Sequence, residues 1–131
     1  MIAVDTNVLL RLLVGDDPVQ AVKARRLFDR ADAEQKSVWV SDTVLVELAW
    51  TLAKAYGRDR ADIVAAMRAL SSHATVVLES GAAVRDATDA FEHGRADFAD
   101  CLLAMKAHLA GCDEVATFDR GMKALPAVRL L

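Results

Sequence analysis

This chain contains few of the residues that build disulfide-bonded or zinc-bound domains. Its 131 residues include only two cysteines, Cys101 and Cys112, and three histidines. A disulfide scaffold would need a denser set of cysteines, and a zinc site needs several Cys or His ligands at short spacing. Both cysteines lie in apolar stretches, so we interpret them as reduced core residues of a cytoplasmic protein.

Long apolar runs and a strong charge of either sign are also missing. No stretch reaches the roughly 18 apolar residues that span a bilayer, and residues 1–5 lack the basic and apolar regions of a secretory signal. The sequence thus predicts one domain over residues 1–131 without a membrane partner. The net charge of −3 does not indicate the basic surface of many nucleic-acid-binding domains. Without the five acids described below, the charge would be about +2, so charge does not decide the question.

Short apolar, β-branched stretches alternate with helical patterns, which is typical of a parallel α/β fold. Strands are predicted at residues 2–4, 38–40, 75–78, 114–117 and 128–131. Helices are predicted at residues 8–13, 18–32, 43–55, 58–70, 80–92 and 97–109, with Ser or Asp starts and Gly ends. Trp39 in the second strand and Trp50 on the apolar third helix are interpreted as core residues.

Five carboxylates, called the candidate acids below, occur in segments where an ordinary core would place apolar or small side chains. They are Asp5, Glu47, Asp97, Asp100 and Asp119. Buried acids are uncommon unless they are paired or bind a metal. Only Asp119 has a basic residue directly beside it, Arg120. Several acids without matching bases favour a hard divalent cation over a set of salt bridges.

The predicted topology brings the candidate acids to one edge of the sheet. Asp5 and Asp119 each follow a strand, and Glu47 lies early in the helix after the second strand. Asp97 and Asp100 share one face at the start of a helix. Parallel sheets bind ligands at the carboxyl ends of their strands, where Mg²⁺ or Mn²⁺ could activate water for phosphodiester hydrolysis. The alternative for Asp5 and Asp97 is a helix cap.

Four motifs contain the candidate acids. In chain order they are VDTNVLLR at residues 4–11, SDTVLVELAW at 41–50, ADFADCLLA at 96–104 and TFDR at 117–120. Together they resemble the PIN-domain ribonucleases, and within that family the VapC-type toxins of toxin–antitoxin pairs. Each motif alone is weak, but their order and spacing cover essentially the whole chain.

This resemblance implies a three-layer α/β/α sandwich with a central, mostly parallel five-stranded sheet, usually in a homodimer. It implies a metal-binding catalytic quartet with Asp97 as a further metal ligand; the quartet is Asp5, Glu47, Asp100 and Asp119. Thr6 and Asn7 would support the site by holding a water or orienting Asp5. Such toxins use Mg²⁺ or Mn²⁺ to cleave RNA endonucleolytically until a cognate antitoxin protein covers the site.

Basic side chains near the motifs are candidates for contacts with RNA phosphates. Arg11, which one helix connects to Asp5, and Arg95 are the first of these; the others are Lys54, Arg58 and Arg60. Three other functions stay open. They are a PIN-fold nuclease of RNA maturation or decay without an antitoxin, a receiver-like signalling module, and a protein-binding module without activity. A receiver module would carry a Lys after a late strand, and this chain has none there. The complete set of candidate acids argues against a binding module without activity.

Overall fold

The computed structural model describes all 131 residues and alternates short strands with helices. The strands are β1 (Ile2–Ala3), β2 (Val38–Val40), β3 (Val76–Leu78), β4 (Val115–Thr117) and β5 (Val128–Leu130). The helices are α1 (Thr6–Leu13), α2 (Pro18–Ala33), α3 (Asp42–Lys54), α4 (Arg60–Ser72), α5 (Gly81–His93) and α6 (Phe98–Leu109), and a 3₁₀ turn covers Arg120–Met122. The predicted α/β class is confirmed, and each predicted strand and helix is present with ends close to those expected.

The strand pairs are all parallel, but they form two separate ladders. β2 lies between β1 and β3, with Val38 opposite both Ile2 and Val76. β4 pairs with β5, with Val115 opposite Val128. The structure therefore differs from the single five-stranded sheet that the resemblance implied, because no ladder joins β1 to β4. β1 contains only two residues, so it offers few backbone groups for pairing with a further strand.

Short polar side chains fix the starts of most helices. The residue before the helix accepts a hydrogen bond from the backbone N–H three positions later in five cases, at Asp5, Asp17, Ser41, Asp59 and Asp97. Each cap satisfies a backbone donor that the helix itself leaves unpaired. The cap interpretation of Asp5 and Asp97 is thus confirmed, and it is compatible with a site role because the second carboxylate oxygen is not used by the cap.

The core forms where the sheet meets the helices, and α3 supplies much of it. Leu45, Leu48 and Leu52 on α3 belong to one buried cluster with Val38 and Val40 of β2. Burial of these aliphatic side chains stabilises the fold by roughly 1.5–3 kcal/mol each. No helix combines the length and the apolar content that crossing a bilayer requires.

Two of the predicted core residues are on the surface instead. Cys101 is buried as expected, but Cys112 is exposed because it follows the end of α6 at the Gly111 turn. Trp39 is half-buried, whereas the side chain of Trp50 is 63% exposed. The core interpretation of Trp50 is therefore wrong, since the buried face of α3 does not include position 50.

Candidate active site

Two local turns place carboxyls beside the start of α6. Asp97 precedes the helix, and its Oδ1 accepts a hydrogen bond of 2.8 Å from the backbone N–H of Asp100. Asp119 follows β4, and its Oδ1 accepts a hydrogen bond of 2.7 Å from the backbone N–H of Gly121. The backbone N–H of Asp119 donates to the Thr117 hydroxyl at 3.0 Å. These short-range bonds hold both carboxyls in defined positions.

The pKa of Asp100 shows that these carboxyls interact. It is raised from 3.8 to about 6, first by partial burial of the side chain. The carboxyls of Asp97 and then Asp119 raise it further, through charge and through hydrogen bonding. No Lys, Arg or His forms an ion pair with any of these three residues. The start of α6 therefore concentrates negative charge without a compensating base.

Asp5 lies at the carboxyl end of β1, where it caps α1 through a hydrogen bond of 3.1 Å from the backbone N–H of Val8. Asp5 and Asn7 are exposed and line a cavity of about 400 Å³ along α1 and α2. Thr6 between them is buried, and its hydroxyl has no hydrogen-bond partner. Because buried hydroxyls are usually paired, Thr6 offers an unused donor and acceptor next to Asp5.

Glu47 lies in the second turn of α3 and is exposed. The apolar segment around Glu47 predicted a buried position for this acid, and that expectation is wrong. The buried residues of α3 near it are Leu45, Leu48 and Ala49, and Glu47 lies outside the stripe that they form. An exposed acid costs little there, so its presence alone is weaker evidence for a site than the sequence indicated.

The segments that carry the candidate acids are neighbours, but the carboxyls do not all converge. α3 packs against both α1 and α6, so Glu47 is on a helix between those that follow Asp5 and Asp97. The interactions of Asp97 and Asp119 with Asp100 are pairwise. No three His, Cys, Asp or Glu side chains lie close enough together to hold a metal ion. The structure thus brings three of the five candidate acids into interaction, and Asp5 and Glu47 lie on adjacent elements.

The donor chemistry fits a hard divalent cation. The candidate ligands are carboxylate oxygens, which Mg²⁺ and Mn²⁺ prefer over sulfur and imidazole ligands. A cation among them would offset the repulsion that raises the pKa of Asp100. Mg²⁺ commonly keeps several waters and needs only one or two carboxylates, so a closed shell of protein ligands is not required. The buried Thr6 hydroxyl, which has no hydrogen-bond partner, adds a polar group next to Asp5 in the sequence.

Arg11 and Arg95, two of the residues proposed for RNA contacts, have different environments. The Arg11 guanidinium donates from Nε to Gln20 at 2.6 Å and from Nη1 to Asp16 at 2.9 Å. The Tyr56 hydroxyl accepts from Nη1 at 3.4 Å and donates to Asp16 at 2.8 Å. These bonds tie α1 to the start of α2 and occupy the guanidinium, which does not favour a phosphate contact. Arg95 is exposed and forms no ion pair.

The structure also contains a buried carboxylate, that of Asp42, whose burial the sequence did not predict. Asp42, at the start of α3, is 8% exposed. Its Oδ2 accepts hydrogen bonds from Lys106 Nζ at 2.5 Å and from the Ser80 hydroxyl at 2.7 Å. Oδ1 is buried without a partner. The one sequence signal for this pair is Lys106, a charged residue within the apolar α6. Its partner Asp42 lies 64 positions away, so the sequence alone does not connect the two.

These observations define a class of protein: an α/β domain whose carboxylates lie near the carboxyl ends of parallel strands. The family model of the PIN domain matches residues 2–128, so the chain belongs to the PIN domain family. The family assigned from the four motifs is thus confirmed. The chain is similar to a VapC ribonuclease of Aquifex aeolicus (strain VF5), with 28% identity over 122 residues, which cover 92% of this chain and 89% of that protein. No solved structure matches the chain.

Proposed function

We propose that this chain is a divalent-metal-dependent endoribonuclease that acts as the toxin of a type II toxin–antitoxin system. The interaction of Asp97 and Asp119 with Asp100, near the carboxyl ends of parallel strands, carries the proposal. The similarity to a VapC ribonuclease over most of both chains supports RNA as the substrate. On the same basis we propose an antitoxin protein and a second copy of this chain as partners.

The candidate acids would hold the cation, which we propose to be Mg²⁺ or Mn²⁺. When bound, such a cation supplies an activated water and neutralises charge on the phosphate. The chemistry adds water across one P–O bond: the water oxygen bonds to phosphorus, and the ribose oxygen leaves with a proton. Carboxylates that are not ligands can accept the proton that the water loses. Thr6 and Asn7 would orient Asp5 or hold water beside it.

The first prediction tests the enzyme. Purified protein should cleave RNA in the presence of Mg²⁺ or Mn²⁺, and EDTA should stop the cleavage. Asp100→Asn should reduce the rate by about 100-fold or more, since it removes a metal-binding charge from the centre of the acid cluster. Asp86→Asn is the matched control, because Asp86 is exposed on α5 and has no ion pair. Cleavage that persists in EDTA would rule out the metal mechanism.

Expression in a bacterial host tests the toxin role separately. Growth should arrest on induction of the chain and recover when the small protein encoded beside it is co-expressed. Asp100→Asn should abolish the arrest. RNA cleavage in vitro without growth arrest would instead indicate an RNA maturation or decay enzyme.

A further inference from the structure

A groove of about 380 Å³ runs beside α3 and includes one candidate acid, Asp97, in its lining. Its apolar floor includes Ala49 and Ala53 of α3 and Phe98 of α6. Trp50 and Asp97 both line the groove, and the carboxyl of Asp97 also interacts with Asp100. This volume is in the range of pockets that hold small organic groups, so the groove has room for a planar ring against the indole.

The cations around this groove fall into two groups. The Arg60 guanidinium is occupied, because Nη1 donates to the backbone oxygens of Phe91 at 2.6 Å and Ala96 at 2.9 Å. It also lies 4.0 Å from the centre of the Phe91 ring. By contrast, three exposed cations line the groove and form no ion pair or side-chain hydrogen bond; they are Lys54, Arg58 and Arg95. These three side chains are free to bind an anion.

The exposed face of α3 orders these features along one line. Glu47, Trp50 and Lys54 are spaced three and four positions apart, so they lie one above another on the same side of the helix. The line begins with an acid near the carboxyl end of β2, continues with an aromatic ring and ends with a cation. A polyanion that places one phosphate at the acid cluster would extend past the ring toward the cations.

Two aromatic rings are exposed, one that lines the groove and one that is next to a candidate acid in the sequence. Of four Phe, two Trp and one Tyr, only Trp50 and Phe118 are exposed, at 63% and 81%. Trp50 shares the groove with Asp97, and Phe118 is adjacent to Asp119 in the sequence. Aromatic rings beside a positively charged track are the usual platform for unpaired bases.

We infer that this groove is a subsite for single-stranded RNA, in which an unpaired base stacks on Trp50 while Lys54, Arg58 and Arg95 contact the flanking phosphates. The inference rests on the proposed ribonuclease function and specifies its substrate as an unpaired segment. A duplex keeps its bases stacked within the helix, so it has no free base face to place on the ring. The three unpaired cations that line the groove, against one acid, favour a polyanion over an apolar partner.

Binding of a single-stranded RNA of about twelve nucleotides, measured by fluorescence anisotropy in EDTA, tests this subsite. Trp50→Ala should weaken binding about 5- to 150-fold, while Trp50→Phe should stay close to wild type because it keeps a ring. Lys54→Ala, Arg58→Ala and Arg95→Ala should each lower the slope of log affinity against log salt by about 0.7. Arg85→Ala is the matched control, since Arg85 is exposed and unpaired beside Ser71 and Ser72 at the other end of α4.

Two further measurements separate the possible outcomes. With Trp39→Phe as background, single-stranded RNA should quench the fluorescence of Trp50, and duplex RNA should not. If Trp50→Ala binds RNA as wild type does, the subsite is overturned. If that variant also changes from dimer to monomer, or loses an antitoxin, the groove is a protein interface instead. Wild-type protein that binds but does not cleave RNA would contradict the ribonuclease proposal alone.

Discussion

Asp100 is partly buried and has Asp97 and Asp119 as neighbours, so its charge destabilises the folded state. In the unfolded chain the same carboxyl is solvated and has a pKa near 3.8. Between pH values of about 4 and 6, the folded protein therefore binds more protons than the unfolded protein. The contribution of this group to the free energy of unfolding falls as pH rises through that window and is lowest above it. The proposed metal ligand thus lowers the stability of the metal-free protein.

Asp100→Asn should therefore raise the melting temperature of the metal-free protein at pH 7. A pKa of about 6 instead of 3.8 would correspond to about 3 kcal/mol for a fully buried carboxyl, and to about 1 kcal/mol for Asp100 because solvent screens its partly exposed side chain. The helix cap is kept, since Asp97 bonds the backbone N–H at position 100. Melting curves in EDTA at pH 7 and pH 4.5 measure the effect, which should be clearly smaller at the lower pH because the folded carboxyl is then largely protonated.

Mg²⁺ or Mn²⁺ should reverse this order. The wild-type melting temperature should rise with cation concentration, because the ion binds only the folded state, and that of Asp100→Asn should rise less. If Asp100→Asn is less stable than wild type at pH 7 in EDTA, the carboxyl is not under electrostatic strain and this account of Asp100 is wrong.

Individual residues differ in how well the sequence predicts them. The sequence predicts Asp5 and Asp97 both as candidate acids and as possible caps, because the adjacent strand or helix is itself evident from local sequence. The exposure of Glu47 and Trp50 was not predicted. The sequence of α3 is apolar over most of its circumference, and which side is covered depends on α1 and α6, elements distant in sequence.

At the scale of secondary-structure elements, the ion pair of Asp42 and Lys106 connects the two helices nearest the candidate acids. Asp42 begins α3, which carries Glu47, and Lys106 lies on α6, which carries Asp100. The pKa of the Lys106 ammonium is raised by its hydrogen bond to Asp42. Because the carboxyl is buried and one oxygen has no partner, removal of the lysine would leave a largely uncompensated buried charge.

Lys106→Met should lower the melting temperature by about 4–8 °C, an effect expected when a buried carboxylate loses its main partner. Asp42→Asn combined with Lys106→Met should recover part of the loss, since the uncompensated charge is gone. Lys36→Met is the matched control: Lys36 pairs with Glu34 on the surface at 2.7 Å, and its loss should change the melting temperature by less than about 2 °C. Thermal melts at pH 7 measure all four proteins, and equal effects of the two single lysine variants would contradict the argument.

The bounds of the elements were predicted well because their signals are local. Asp59, for example, caps α4, so the helix begins at Arg60, two positions later than predicted. The pairing of Asp42 with Lys106 has no local signal, because each residue alone resembles an ordinary helix-start acid or surface lysine. Long-range pairs of this kind require the tertiary structure.

At the scale of the whole molecule, the sequence predicted the alternation of parallel strands and helices but not the division of the strands. Hydrophobic patterns define which residues form strands, whereas the ladders depend on a few backbone hydrogen bonds at strands of two or three residues. Charge distribution is also a property of the assembled molecule. The net charge is −3, yet acids surround the candidate site and unpaired cations line the groove beside it.

This distribution makes a prediction about RNA binding without a cation. A phosphate at the candidate site would be repelled by the nearby carboxylates, so Asp5→Asn combined with Asp119→Asn should bind single-stranded RNA more tightly than wild type in EDTA. Asn preserves both caps. Removing two unit charges that lie about 8 Å from a bound phosphate in water should raise the affinity for RNA about 3- to 6-fold at low salt. Anisotropy titrations measure the difference, which should disappear at high salt because the Debye length falls to about 3 Å.

The matched control for this prediction is Asp86→Asn combined with Asp113→Asn, which removes the same charge from exposed positions on α5 and before β4. Asp113 precedes β4 and Asp119 follows it, so the two pairs of substitutions test opposite ends of the same strand. If net charge alone governed binding, both double variants would gain equally. A gain confined to the Asp5 and Asp119 variant would locate the bound phosphate at the carboxyl ends of β1 and β4, whereas equal gains would contradict that location.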